Sequence, residues 1–314
     1  MWPRVLPFKS GIIRTSFVVG LLFVGVMLAS CSHQPTARTT ASREQTATNG
    51  TSQEDISPLP DEVAIPTPTP SSKRRDMPWL TKAEQPRLAI IIDDWGYQRS
   101  AENDFLELDI PLTAAIIPFL QHSESATHAA AAAGFDILVH LPMEPTNASL
   151  ASMEGMIATS MTDEEISAAV KAALQAIPGA QGINNHMGSK ASADTRVMQH
   201  VLNEVAQEGL FFVDSRTSAQ SVAATVGDAI GVPVLERLVF LDGKDEEQYI
   251  TSQLREAARL ALKRGYAVAI GHVRPKTAQA ISDMLPELVE MGVNLVRISE
   301  FIQKEHTLQE PLDI

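Results

Sequence analysis

Cysteine is almost absent from the 314-residue sequence: Cys31 is the only one. An intrachain disulfide is therefore excluded, and so is a thiolate metal site anywhere downstream. Any bound metal must be held by His, Asp or Glu. Positive charge is scarce too, with 25 Lys and Arg against 38 Asp and Glu and a net charge of −13. Phosphate backbones are bound by basic stripes, so this balance argues against nucleic acid as a partner. It suits a domain that meets neutral or cationic substrates. The apolar run from Ser16 to Met27 falls short of the roughly 20 residues that span a bilayer. No Gly-x-Gly-x-x-Gly follows the first apolar strand, which argues against a dinucleotide site, and no internal repeat is visible.

What is present begins with a leader. Arg4, Lys9 and Arg14 precede the apolar run, and small residues follow it, as in a secretory signal over residues 1–30. Leu28-Ala29-Ser30-Cys31 resembles the lipobox of bacterial lipoproteins, in which the cysteine is acylated and becomes the mature N-terminus. Ser32 follows it in place of aspartate, so the expected address is the periplasmic side of the outer membrane, reached through a lipid on Cys31. Residues 31–86 are rich in Ser, Thr, Gln and Pro, and read as a tether that buries too little apolar surface to offset its ordering entropy. A folded domain is expected over 87–303, and a short tail over 304–314.

Within that domain, short apolar runs alternate with amphipathic stretches. The runs are Leu88–Ile92, Thr113–Ile117, Ile137–Val139, the segment at Ile183, Leu210–Val213, Val232–Leu235, Ala267–Ile270 and Leu295–Val296. Helices are predicted over Glu124–Ala133, Thr162–Ala176 (opened by a Thr162/Glu165 capping box), Asp194–Glu208, Glu246–Arg264 and Thr277–Glu290. Alternation of this kind specifies an α/β fold with seven or eight mostly parallel strands and outer helices. So many units in one domain favour a distorted (β/α) barrel over an open doubly wound sheet.

Parallel α/β folds carry their sites at the C-terminal ends of the strands. There the sequence places Asp93-Asp94-Trp95-Gly96, His140-Leu141-Pro142-Met143-Glu144, Asn184-Asn185-His186-Met187-Gly188-Ser189, Asp214-Ser215-Arg216-Thr217 and Gly271-His272. Three of the eight histidines, His140, His186 and His272, directly follow apolar runs; His128 and His200 fall in predicted helices, and His33 and His306 lie outside the domain. Two adjacent carboxylates after a buried strand are costly to desolvate unless a cation or donors meet them. Imidazole and carboxylate are good ligands for zinc, and such a site keeps one position open for water.

These five motifs, in this order, resemble the divergent polysaccharide deacetylase family, a distant branch of the carbohydrate esterases with the NodB-like fold. The resemblance covers 87–303. It implies Asp93 as catalytic base, His272 as catalytic acid, and Asp214 and Arg216 as residues that orient the acid or the base. It implies a divalent metal, zinc by expectation, on Asp94 and His140. Glu144 stands where the family relatives carry a second histidine, and His186 is expected to restore the missing imidazole from another strand.

The function implied is metal-dependent removal of N-acetyl groups from an amino-sugar polymer such as peptidoglycan. A rival on the same fold is a catalytically weak glycan-binding or envelope-scaffold protein. A second rival is a metal-free glycosidase that pairs Asp94 with Glu144 or Asp214, for which the carboxyl separation would decide.

Overall fold

The computed structural model describes residues 85–302, apart from 98 and 151, together with Met77, Leu80, Thr81 and Ala83. The leader, Cys31, most of the tether and the C-terminal tail lie outside the described residues.

Nine strands form one sheet in the order β6-β5-β4-β3-β2-β1-β8-β7, with β9 beside β1. They are β1 (Arg87–Trp95), β2 (Thr113–Ile116), β3 (Asp136–Met143), β4 (Gly182–Met187), β5 (Phe211–Asp214), β6 (Val234–Glu236), β7 (Val239–Phe240), β8 (Tyr266–His272) and β9 (Asn294–Val296). All their pairings are parallel. The eight expected runs are all strands, and the short β7 is an addition. Segment 234–240 joins the two edges of the sheet. Its first half pairs with β5 and its second with β8. Between them Arg237 N–H donates to Asp214 O, and Leu238 N–H to Val268 O. The result is the distorted (β/α) barrel expected from the sequence.

The helices are α1 (Arg99–Leu106), α2 (Ser123–Ala132), α3 (Asp163–Ala176), α4 (Thr195–Gln207), α5 (Ala223–Ile230), α6 (Glu247–Arg264) and α7 (Pro275–Glu290). The capping box of α3 is formed as predicted, with Thr162 and Glu165 bonded reciprocally. Helices α1 and α5 have no counterpart in the sequence reading. Among the described residues no helix is long and apolar enough to cross a membrane.

The strands have near-continuous apolar runs because both faces are buried. Leu88, Ile90 and Ile92 pack outward in the large core beneath the helices. Ala89 and Ile91 face inward with Ala115, Leu138, Val213, Leu235, Val268 and Ile270. Side chains alternate with period two. The next inward position after Ile91 is therefore Asp93, after Leu138 it is His140, after Val213 it is Ser215, after Leu235 it is Arg237, and after Ile270 it is His272. A polar layer thus sits directly on the apolar barrel filling, at the C-terminal mouth.

The opposite end of the barrel is sealed. Phe301, Ile298 and Ile302 close it, with Met77 and Leu80 packed against them. Leu80 pairs with Ile302, Thr81 N–H donates to Phe301 O, and Arg87 donates to Thr81 and to Glu300 O while lying over the Phe301 ring. The packed domain therefore begins about ten residues before the expected boundary at 87. The residues responsible, Met77 and Leu80, belong to the short apolar cluster Met77-Pro78-Trp79-Leu80, which is too brief to carry a periodic signal.

Candidate metal centre and active site

Asp94, His140 and His186 come together at the mouth from β1, β3 and β4. Asp94 Oδ1 lies 3.3 Å from His140 Nε2 and 3.1 Å from His186 Nδ1, and the two nitrogens are 3.1 Å apart. Tetrahedral ligands held about 2.0–2.1 Å from zinc are separated by about 3.3–3.4 Å, so this triangle needs almost no adjustment to accept such an ion. Asp94 Oδ1 is buried without a well-directed hydrogen bond. A buried carboxylate oxygen in that state calls for a positive partner. The three residues therefore fit a divalent cation. Burial raises the proton affinity of Asp94, but His140 and His186 outweigh it and hold the carboxyl well below its usual range, as a ligand requires.

Asp93 occupies the layer beside the triad, with its Oδ2 3.6 Å from His140 Nε2. Burial pushes its pKa up, against the pull of His140 and His272. Asn184, fully buried on β4, donates from Nδ2 to Asp93 Oδ1 at 2.8 Å, and its Oδ1 lies 2.8 Å from His140 Nδ1. Strand register explains the meeting: Asp93 is aligned with His272 across β1 and β8, and His140 with Asn184 across β3 and β4.

His272 carries its own acid. Its Nδ1 is 2.8 Å from Asp242 Oδ1, and its backbone N–H donates to Asp242 Oδ2 at 2.7 Å. Thr277 Oγ1 donates to the same carboxylate at 2.8 Å. Burial alone would lower the histidine's pKa, but Asp242, with Asp94 and Asp93, drives it up to about 10.

Two sequence expectations are corrected here. Glu144 is outside the three-donor cluster. Its carboxylate accepts from Thr159 N–H and Oγ1 and from Lys190 Nζ, each at 2.7 Å, and these donors overcome burial to bring its pKa down to about 2. The backbone turns Glu144 away: its N–H donates to Ile157 O, and its carbonyl accepts from Lys190 and Ala191. Asp214 and Arg216 supply no hydrogen bond to His272 or Asp93, whose partners are Asp242 and Asn184. Asp214 Oδ1 instead accepts Arg216 N–H at 2.8 Å and shapes its own turn. Glu144 is held in its clasp with Thr159 and Lys190 and Asp214 in its own turn, and neither joins Asp94 in the three-donor cluster.

The cavity at the mouth is lined by Asp93, His140, His186, Arg237, Phe240 and His272 among others, and measures about 30 Å³. That is room for one or two water-sized groups. Arg237, buried at the join between β6 and β7, donates to the carbonyls of Ser215 and Arg216 and lies over the Phe240 ring. Asp94, Met187 and Arg216 adopt left-handed backbone conformations, with φ of 69°, 54° and 54°. Non-glycine residues in this region cost energy and cluster at functional sites.

A parallel (β/α) barrel carries at its mouth an Asp-His-His cluster that could hold a cation, flanked by a buried carboxylate and an Asp-supported histidine. Residues 90–302 match the family model described as divergent polysaccharide deacetylase. The chain belongs to that family. It is similar to an uncharacterized protein of Haemophilus influenzae, 34% identical over 224 residues that span 71% of this chain and 79% of that one. It is also similar to the uncharacterized protein YibQ of Escherichia coli, 33% identical over 218 residues covering 69% of this chain and 68% of the relative. Among solved structures, an uncharacterized protein of Agrobacterium tumefaciens shares the fold, with a TM-score of 0.66, 21% identity, and coverage of 71% of this chain and 91% of that one.

Proposed function

We propose that the protein is a metal-dependent hydrolase that removes N-acetyl groups from an amino-sugar polymer, with peptidoglycan as the expected substrate. The observation that carries this reading is the triangle of Asp94, His140 and His186 with Asp93 and His272 on either side. A divalent ion, zinc by its donor set, would supply Lewis acidity at the mouth and lower the pKa of water there. Asp93, whose burial raises its proton affinity, takes the proton of the attacking water. His272, held protonated at neutral pH by Asp242, gives a proton to the departing amine. The amide C–N bond breaks and acetate leaves. The small cavity supports the same reading, because a sugar ring must lie across the mouth while only a short substituent enters.

The test is zinc content and acetate release from peptidoglycan and chitin oligomers for wild type, Asp94→Asn and Asp93→Asn. Wild type should bind zinc and release acetate. Asp94→Asn should lose both, and Asp93→Asn should keep its metal while turnover falls by about 10²–10⁴-fold. Zinc-loaded wild type that releases no acetate from either polymer would leave the glycan-binding rival in its place.

We further propose, from the leader and Cys31, that the protein is exported and held by a lipid at the outer membrane. Cys31→Ser should then move the protein into the soluble fraction. A mutant that stays with membranes after a salt wash refutes the lipid.

A further inference from the structure

We propose that Asn184 is a positioning residue that sets the cation site and the base together through its single amide. The half that concerns the base rests on the hydrolase reading above; the half that concerns the metal rests on the three-donor site alone.

Asn184 has no exposed surface and sits at the centre of the polar layer. Below it on the same face is Gly182, whose missing side chain leaves the space filled by the Phe211 ring, 2.8 Å from where a Cβ would stand. The ring is an apolar floor, and above it the Asn184 amide meets Asp93 and His140 at 2.8 Å each and Ser215 Oγ at 3.4 Å. The partners fix which way the amide faces. Asp93 Oδ1 accepts, so the nitrogen of the amide lies on that side, and the oxygen faces His140 at 2.8 Å. His140 must then carry its proton on Nδ1 and keep a lone pair on Nε2, the atom in the ligand triangle. Partners of this kind, on the far side of a ligating imidazole, fix its tautomer and its ring orientation.

The other end of the same amide acts on the base. Its hydrogen bond occupies Asp93 Oδ1 and leaves Oδ2 toward the triad. One neutral side chain therefore both accepts from a ligand and donates to the base, 2.8 Å away on each side. A carboxylate at this position can accept from His140, but it sets a second buried carboxyl 2.8 Å from Asp93, and the proton the two must share takes up the base. An apolar residue serves neither.

The two halves separate in mutants. Asn184→Asp has the same shape and keeps an acceptor for His140. Its zinc affinity, measured by chelator competition, should stay within a few-fold of wild type. Its kcat should fall by about 10²-fold with KM nearly unchanged, because the base is taken up by the shared proton. Asn184→Ala loses both bonds, and its zinc affinity should fall by about 10–100-fold along with the rate. A residue that merely filled space would not yield this split. Asn184→Asp with wild-type turnover, Asn184→Asp that loses zinc as Asn184→Ala does, or folded Asn184→Ala with wild-type affinity would each overturn the proposal. Asn184→Asp alone decides the matter if Asn184→Ala does not fold. Wild type that binds zinc yet releases no acetate refutes the hydrolase reading, and the affinity contrast still tests Asn184.

Discussion

At the scale of single residues, His272 shows how strongly one neighbour can set a charge. Its pKa is near 6.5 without its surroundings and about 10 in the folded protein, once Asp242 has overcome the burial that would lower it. A group whose proton is bound more tightly in the folded state stabilises that state while the proton is on. The contribution is full below about pH 6.5 and is lost as pH rises toward about 10. Thermal melts of metal-free protein in chelator should therefore show stability declining across that range, and Asp242→Asn should flatten the decline. An unchanged slope in the mutant would mean another group drives it. Asp242 directly follows the apolar run Leu238-Val239-Phe240-Leu241, a signal outside the eight runs read as strands, of which only Val239–Phe240 form β7. His140, His186 and Asp94 were legible because each closes or directly follows a buried run. Asn184 stood in a visible motif, but an uncharged amide gives no sign of function until its partners are seen.

At the scale of elements, the loop between β3 and α3 is clasped by Glu144. Its side chain holds Thr159 and Lys190 while the backbone of Met143 bridges to Ile157. The family resemblance put Glu144 at a ligand position, and a place in a motif cannot report that the strand ends one residue earlier and the chain turns. Glu144→Gln should lower stability by about 1 kcal/mol and leave zinc content unchanged. Glu144→His should bind zinc no better than wild type. A gain in affinity for Glu144→His, read by chelator competition, would return that position to the ligand set. The carboxyl pKa is lowered here, so the clasp is intact above about pH 4.5 and weakens as pH falls toward about 2. Among the elements, the eight apolar runs and five longer helices were legible from periodicity. Helices α1 and α5 were not, because each has eight residues, and α5 lacks a side-chain cap.

At the scale of the whole molecule, the two ends of the barrel have opposite characters: a polar mouth, and an apolar base sealed in part by residues before β1. A chain that starts at 82 loses Met77, Leu80 and Thr81 from that seal. It should melt earlier than one that starts at 76, by about 1–2 kcal/mol of stability for the apolar surface exposed. Equal melting would show that these contacts contribute nothing. The seal also determines a direction. The chain enters the barrel at the base, the pole remote from Asp94 and His272. Whatever is attached upstream therefore joins at that pole, clear of the mouth. The 46 Cα–Cα steps from Cys31 to Met77 can span at most about 160 Å. Under the lipid proposed on Cys31, the join to the domain falls at the base, so a polymer reaching the mouth does not have to pass the point of attachment.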